Sequence, residues 1–95
     1  MEKRGDYFER VMRCVCMSCN VSEDMLVHSK TERCSDARGA MVYLLSEVYS
    51  DVEIAELTGL PRRSVNDIKN KWHEREKRNR CHWIVESVTS RLMEV

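Results

Sequence analysis

Five cysteines and three histidines are the residues of this chain that could bind a metal or form covalent intermediates. Cys14, Cys16 and Cys19 form a C-x-C-x-x-C cluster, and Cys34 follows further along. Structural zinc sites usually have two paired groups of ligands, and on a helix Cys14 and Cys16 would point about 200° apart. An odd cysteine count does not suggest a disulfide framework either. We therefore interpret the cysteines as small buried or half-buried apolar residues and expect no metal, cofactor or enzymatic activity, with zinc-assisted folding as an alternative.

Nucleic-acid binding is a second kind of chemistry, and residues 61–80 favour it. The 95-residue chain carries 16 basic and 16 acidic side chains, so its formal net charge is zero. Residues 61–80 nevertheless hold eight basic and three acidic side chains, whereas residues 1–60 have a net charge of −4. Basic residues clustered on one element are typical of nucleic-acid binders, so the balanced total does not exclude that class.

The polar residues of the basic segment can recognise bases if they lie on one helix. Arginine can donate two hydrogen bonds to guanine, asparagine can pair with adenine, and the N-terminal part of a recognition helix reaches the base edges. The candidates for DNA contact are Arg62, Arg63, Ser64, Asn66, Asp67, Lys69 and Asn70. More distal basic residues would contact phosphates or only solvent: Lys71, Arg75, Lys77, Arg78 and Arg80.

The spacing of residues 51–70 fits a helix-turn-helix. Counting Asp51 as the first position, Ala55 is small where two helices would cross closely, and Gly59 permits a tight turn. Apolar residues would hold the two helices at a fixed angle: Ile54, Leu60, Val65 and Ile68. We predict a helix-turn-helix over about 51–78 whose second helix enters the major groove of double-stranded DNA. An ordinary corner of two helices has the same packing needs and is the alternative.

The remaining sequence predicts further helices around this motif. Only three glycines and one proline are present, which favours an all-helical domain. Ser22, Ser35 and Ser50 are predicted N-caps, and Asn20 and Gly59 are predicted helix ends. Apolar periodicity predicts helices over 2–18, from 22 to about 27, and over 36–49, 51–58, 62–78 and 81–93, with a loop over 28–34. Their buried rows would include Val11 and Val15; Ala37, Met41, Leu44, Leu45 and Val48; Val65, Ile68 and Trp72; and Ile84 and Val88.

The fold predicted from these elements is a single all-α domain over 1–95 with five to six helices and a central helix-turn-helix. No apolar run approaches the roughly 18–20 residues that a membrane span needs, and no signal-peptide pattern follows Met1. We therefore expect a cytoplasmic protein with no membrane contact. The alternative function is a protein-interaction module that uses the helix containing Trp83 or the first helix. A homodimer is one form that such a module would take.

Three stretches resemble the C-terminal DNA-binding domain of the bacterial replication initiator DnaA, which belongs to the Trp-repressor-like group. Residues 21–26 (VSEDML) are similar to the short helix that precedes a basic loop in that family. Residues 37–44 (ARGAMVYL) are similar to its AR-x-x-AMYL helix. Glu53-Ile54-Ala55, Gly59 and Ser64-Val65 are similar to its helix-turn-helix, and the likeness extends from about 7 to 93.

The resemblance implies a Trp-repressor-like fold and a set of DNA contacts. In the family, the basic loop and the arginine of the AR-x-x-AMYL helix contact phosphates, which implies that role for Lys30, Arg33 and Arg38. The four residues before the helix valine, Pro61 to Ser64, replace Asp-His-Thr-Thr, and only Ser64 is a like-for-like match. The target sequence is therefore expected to differ from that of the initiator.

The resemblance also implies a bacterial or phage setting, with a role in DNA replication, transcription regulation or a mobile element. The ATPase module of the initiator has no counterpart here, because the chain contains no G-x-x-x-x-G-K-[ST] motif. We expect either a stand-alone relative or an isolated domain.

Overall fold

The computed structural model describes residues 3–75, 77 and 79–93, and their side chains from residue 6 onward except at 75, 79 and 80. Within these residues the chain forms six helices and no strand, which confirms the predicted all-α class. None of the described helices has the length and apolar character that crossing a membrane requires. The helices are α1 (Lys3–Cys19), α2 (Glu23–His28), α3 (Glu32–Leu45), α4 (Asp51–Thr58), α5 (Arg62–Arg75) and α6 (Asn79–Met93).

Helix α3 lies at the centre of the domain and packs against α1, α2, α5 and α6. Ala37 and Ala40 are fully buried, and small side chains there let neighbouring helices approach closely. Met41 and Leu45 are also fully buried and fill the space between those helices. Because α3 contacts both α2 and α5, it fixes where the α2–α3 loop lies relative to α5.

Helix α3 begins earlier than the sequence pattern predicted. It starts at Glu32, because the Thr31 hydroxyl accepts a hydrogen bond from the Cys34 N–H at 3.4 Å and caps the helix. The predicted loop over 28–34 and the predicted cap at Ser35 are therefore wrong. Cys34 is buried and extends the core row by one turn, and only residues 29–31 connect α2 to α3.

Helix α3 also ends earlier than predicted, at Leu45 rather than at residue 49. The Val48 N–H donates to the Leu45 carbonyl at 3.0 Å, which is the three-residue spacing of a tight turn. This change of pitch turns Val48 outward, where it is 55% exposed, and buries Tyr49. The prediction that Val48 belongs to the buried row was wrong for this reason.

Polar contacts reinforce the packing between the first and last helices. Helix α1 packs against α6, and Asn20 ends α1 in a left-handed conformation with φ of 57°. Arg10 donates to the Leu92 carbonyl at 2.8 Å, and the Ser18 and Ser87 hydroxyls are 3.0 Å apart. Polar contacts thus tie the two termini of the described chain together around the central helix.

Candidate nucleic-acid interface

The turn between α4 and α5 has the geometry that the Thr-Gly-Leu-Pro sequence predicted. Gly59 has φ of 80° and ψ of 1°, a left-handed conformation that glycine adopts without steric strain. Its N–H donates to the Ala55 carbonyl at 2.9 Å. The Thr58 hydroxyl donates to the Ile54 carbonyl at 2.7 Å and accepts from the Leu60 N–H at 3.2 Å. The end of α4 is therefore closed by its own residues.

The start of α4 is closed by a reciprocal capping box. The Ser50 hydroxyl accepts from the Glu53 N–H at 3.3 Å, and the Glu53 carboxylate accepts from the Ser50 N–H at 2.9 Å. Ile54 then buries its side chain completely under α5. An eight-residue helix is too short to be stable alone, so these caps and Ile54 hold α4 against its neighbour.

Helix α5 is anchored by a row of apolar side chains. Val65 is fully buried and Trp72 is 5% exposed, while Ile68 is half-buried at the edge of the core. The Trp72 ring stacks on Tyr43 of α3 with a centroid distance of 5.3 Å and an interplanar angle of 19°. The predicted placement of Trp72 in the core is confirmed, and this packing fixes which face of α5 points to solvent.

One edge of α5 is tied to the first residue of α4. Lys69 donates to one Asp51 carboxylate oxygen at 2.6 Å, and the Asn66 amide donates to the other at 3.2 Å. The Asn70 amide nitrogen in turn donates to the Asn66 amide oxygen at 3.1 Å. The hydrogen bonds from Lys69 and then Asn66 hold the pKa of Asp51 below its ordinary value of 3.8. We call Asp51, Asn66, Lys69 and Asn70 the Asp51 network.

The outward face of α5 carries the other predicted base-reading residues. A helix turns about 100° per residue, which puts Arg63 and Asp67 opposite the Val65–Trp72 row. Arg62, Arg63 and Asp67 are exposed, and Ser64 is half-buried. The side chains of Arg75, Arg78 and Arg80, predicted as distal contacts, lie outside the described residues. The outward face of the described part of α5 therefore forms an exposed polar ridge, centred on Arg63 and Asp67, that begins at the turn.

The opposite edge of α5 borders a cavity of about 360 Å³, which we call the α5 groove. It lies between α5, the turn before it and the α2–α3 loop, so it joins parts of the chain that are distant in sequence. Its lining is mainly basic and polar, and Asp67 is its acidic member. The lining residues are Val27, His28, Lys30, Arg38, Leu60, Ser64, Asp67, Ile68 and Lys71.

Of the three phosphate-contact candidates implied by the resemblance, two line the α5 groove. Lys30 is exposed on the loop. Arg38 is half-buried: its Nε donates to the Leu26 carbonyl at 2.7 Å and an Nη nitrogen donates to the Ser29 carbonyl. Arg38 thus fixes the loop that presents Lys30. Arg33 does not line the groove, and its charge instead acts on the thiols of Cys19 and Cys34.

His28 and Lys71 line the same groove; the sequence offered Lys71 only as a distal contact to phosphate or solvent and did not indicate His28. Lys71 lies one turn beyond Asp67, with its ammonium group 4.0 Å from the Asp67 carboxylate. The i, i+4 and i, i+7 spacing of Lys71 from Asp67 and Ser64 was a usable signal, since such residues share a helix face. His28 ends α2, and no sequence signal placed that end beside α5.

The cysteines lie mostly within the packed interior. Cys19, Cys34 and Cys81 are buried, Cys14 and Cys16 are half-buried, and all five are free thiols. Burial raises the pKa of the Cys19 thiol, whereas hydrogen bonding with Thr31 lowers that of Cys34. Across the described residues no three His, Cys, Asp or Glu side chains come together in a group that could hold a metal ion.

No protein-family model, curated protein or solved structure matches this chain. The chemistry of the α5 face therefore has to be inferred from its own geometry. That geometry is a capped two-helix corner, an exposed ridge on its second helix, and, along one edge of that helix, a groove lined by Lys30 and Lys71.

Proposed function

We propose that this protein binds double-stranded DNA through a helix-turn-helix formed by α4 and α5, without enzymatic activity. Helix α5 enters the major groove, and its exposed N-terminal residues face the base edges. Lys30 and Lys71 contact phosphates of the flanking backbone. Lys30 is held in place because Arg38 fixes the loop that carries it.

The observation that carries this proposal is the α5 groove. Lys30 is 41 positions before Lys71 in the chain, yet the fold brings both to one surface beside Ser64. Phosphate contacts position a protein on the duplex, whereas base contacts supply specificity. A basic loop beside an exposed reading helix provides both kinds of contact on one side of the molecule.

The resemblance to the DnaA C-terminal domain agrees with this arrangement and supports a Trp-repressor-like architecture. In that architecture, a basic loop before the central helix and a helix-turn-helix after it face the same duplex. We propose a role in replication, transcription regulation or a mobile element of a bacterium or phage. The replacement of Asp-His-Thr-Thr by residues 61–64 implies a target other than the initiator's own box.

A fluorescence-anisotropy titration of labelled random duplexes over a salt series tests the proposal. The slope of log K against log salt is negative, and each lost phosphate contact should make it less steep by about 0.9. Lys30→Ala should therefore bind all sequences more weakly and with a shallower slope than the wild type. Arg13→Ala is the matched control, since Arg13 is exposed and lines a different cavity, on α1.

Two outcomes would contradict DNA binding through this face. The wild type would show no association with any duplex at low salt, or Arg13→Ala would weaken binding as much as Lys30→Ala. The second result would mean that only total charge matters, because both variants lose one positive charge.

The exposed surface of α6 favours a second candidate, a protein interaction or homodimer. Trp83 is 54% exposed and Met93 is 80% exposed, and Trp83 borders a shallow cavity with Ser87 and Arg91. Tryptophan is enriched at the centres of protein interfaces. Sedimentation velocity of the wild type and Trp83→Ala would detect self-association, which should depend little on salt if apolar contacts dominate.

A further inference from the structure

We infer that α5 distinguishes DNA sequences by Arg63 contacting guanine and Asp67 contacting cytosine, while Asn66 positions the helix and reads no base. This inference rests on the proposed DNA binding and assigns the base chemistry of the same surface. It is based on the hydrogen bonds and ion pairs that the polar side chains of α5 already make within the protein.

Asn66 is engaged through both ends of its amide. Its nitrogen donates to Asp51 at 3.2 Å, and its oxygen accepts from Asn70 at 3.1 Å. An asparagine that reads adenine must donate to N7 and accept from N6 at the same time. Asn66 would have to leave both partners to do so. It therefore acts as a positioning residue that links α5 to α4.

Lys69 and Arg62 lie on the same edge of α5 as Asn66. The Lys69 ammonium group is 2.6 Å from Asp51, and the positive charge of Arg62 also acts on that carboxylate. Their charges face Asp51 at the start of α4 rather than the centre of the exposed ridge. They suit the phosphates at that edge better than base edges.

Arg63 and Asp67 occupy the centre of the exposed ridge. They are four residues apart, so they share one face and are separated by about 6 Å along the helix. Asp67 keeps 64% of its side chain exposed, and its contact with Lys71, at 4.0 Å, is loose. Successive base pairs are about 3.4 Å apart, so this separation spans about two steps, and the two side chains can reach base pairs up to two steps apart.

The chemistry of the two side chains selects different bases. A guanidinium group donates to both O6 and N7 of guanine, and a carboxylate accepts from the N4 amino group of cytosine. The Asp67 carboxylate is an acceptor only and finds no partner on the major-groove edge of guanine, whose groups there are acceptors. The preferred site therefore contains a guanine that Arg63 reads and a cytosine that Asp67 reads, in base pairs no more than two steps apart.

Selection of the full chain from a random duplex pool, followed by competition titrations, tests this assignment. The wild-type motif should contain a fixed G·C base pair at the position that each of the two side chains reads. Arg63→Ala should lose the guanine preference by about 5- to 150-fold, the range that one bidentate contact provides. Asp67→Ala should lose the cytosine preference while binding other sequences at least as tightly, because a negative charge near phosphates is removed.

Asn66→Ala is the matched control on the same helix. It should leave the selected motif unchanged and lower the thermal stability of the domain, since it removes a link between α5 and α4. A motif that depends on Asn66, or one unchanged by both Arg63→Ala and Asp67→Ala, overturns the assignment while DNA binding stands. Failure of the wild type to select any duplex instead overturns the proposed function.

Discussion

Gly59 provides the sharpest test of the turn that joins α4 to α5. Its φ of 80° lies in the left-handed region, and a Cβ added there would have no heavy atom within 4 Å beyond Gly59 and the two neighbouring residues. Gly59→Ala therefore introduces backbone strain without a steric clash. The strain is roughly 1–2 kcal/mol for a residue with a Cβ.

The unfolded chain partly offsets this strain. Alanine has less conformational freedom than glycine when unfolded, which returns about 0.4–1 kcal/mol to the folded state. The net loss for Gly59→Ala should be about 1 kcal/mol. In a domain of this size, that loss lowers the melting temperature by about 4–8 °C.

Urea unfolding followed by far-ultraviolet circular dichroism measures the loss through the transition midpoint. Gly59→Asn is the matched control, since asparagine adopts the left-handed region more readily than alanine and should lose less stability. Asn20→Ala tests the same reasoning at the end of α1, where φ is 57°. Equal losses for Gly59→Asn and Gly59→Ala, or no loss for either, would refute the conformational explanation.

Three further predictions concern single contacts. Ser50→Ala removes half of the capping box and should lower the free energy of unfolding by about 1 kcal/mol in urea titrations; an unchanged midpoint would contradict the cap. The pKa of Asp51 is lower in the folded state than its ordinary value of 3.8. The Asp51 carboxylate therefore stabilises the domain fully above pH 3.8, and this stabilisation is lost as the pH falls through the folded-state pKa. Asp51→Asn should therefore be less stable than the wild type at pH 6, and the difference should shrink below pH 3.8; a difference that is constant with pH would contradict this. The buried Tyr49 hydroxyl has no hydrogen-bond partner among the described residues, so Tyr49→Phe should stabilise the domain by about 1 kcal/mol. Tyr7→Phe removes a donor to the Leu44 carbonyl at 3.4 Å and should instead destabilise the domain; differential scanning calorimetry of the two variants measures both changes.

The features that sequence predicted correctly are those encoded within a few residues. The Ser22 and Ser50 caps and the Gly59 turn each depend on side chains at most four positions away. The buried positions of Val65 and Trp72 follow from the helical period alone. Local hydrogen-bonding groups and periodicity are sufficient for such features, since no distant part of the chain decides them.

The predictions for the start of α3 and for Val48 were wrong because packing against neighbouring elements decides the structure there. Residues 32–34 are polar apart from Cys34, so periodicity gave no sign that they form the first turn of α3. Thr31 was as good a cap as Ser35, and the choice depends on Cys34 being buried against the rest of the core. Val48 fits the α3 period, but the chain tightens after Leu45 and turns it to solvent.

The candidate site could be predicted only in part for the same reason. Sequence identified an exposed face on α5, and that face is present. It could not show that Asp51 would engage Lys69 and Asn66, because those contacts join residues 15 to 18 positions apart. Asp51 has a sufficient local role as an acid in the first turn of α4, so its position in the sequence does not indicate a further partner. The role of Arg38 in fixing the α2–α3 loop could not be predicted either, because its hydrogen bonds reach the carbonyls of Leu26 and Ser29 on the preceding elements.

The distribution of charge explains how a chain with no net charge could still discriminate between DNA sequences. The groove edge of α5 carries Lys71 and faces Lys30, but Asp67 lines the same groove one turn before Lys71. In the proposed complex, the two lysines attract any duplex, whereas Asp67 is repelled by phosphates at every site. Only a base that donates to the carboxylate compensates for that repulsion, so Asp67 weakens binding to other sequences more than binding to the preferred one. A uniformly basic ridge would bind more tightly overall and discriminate less.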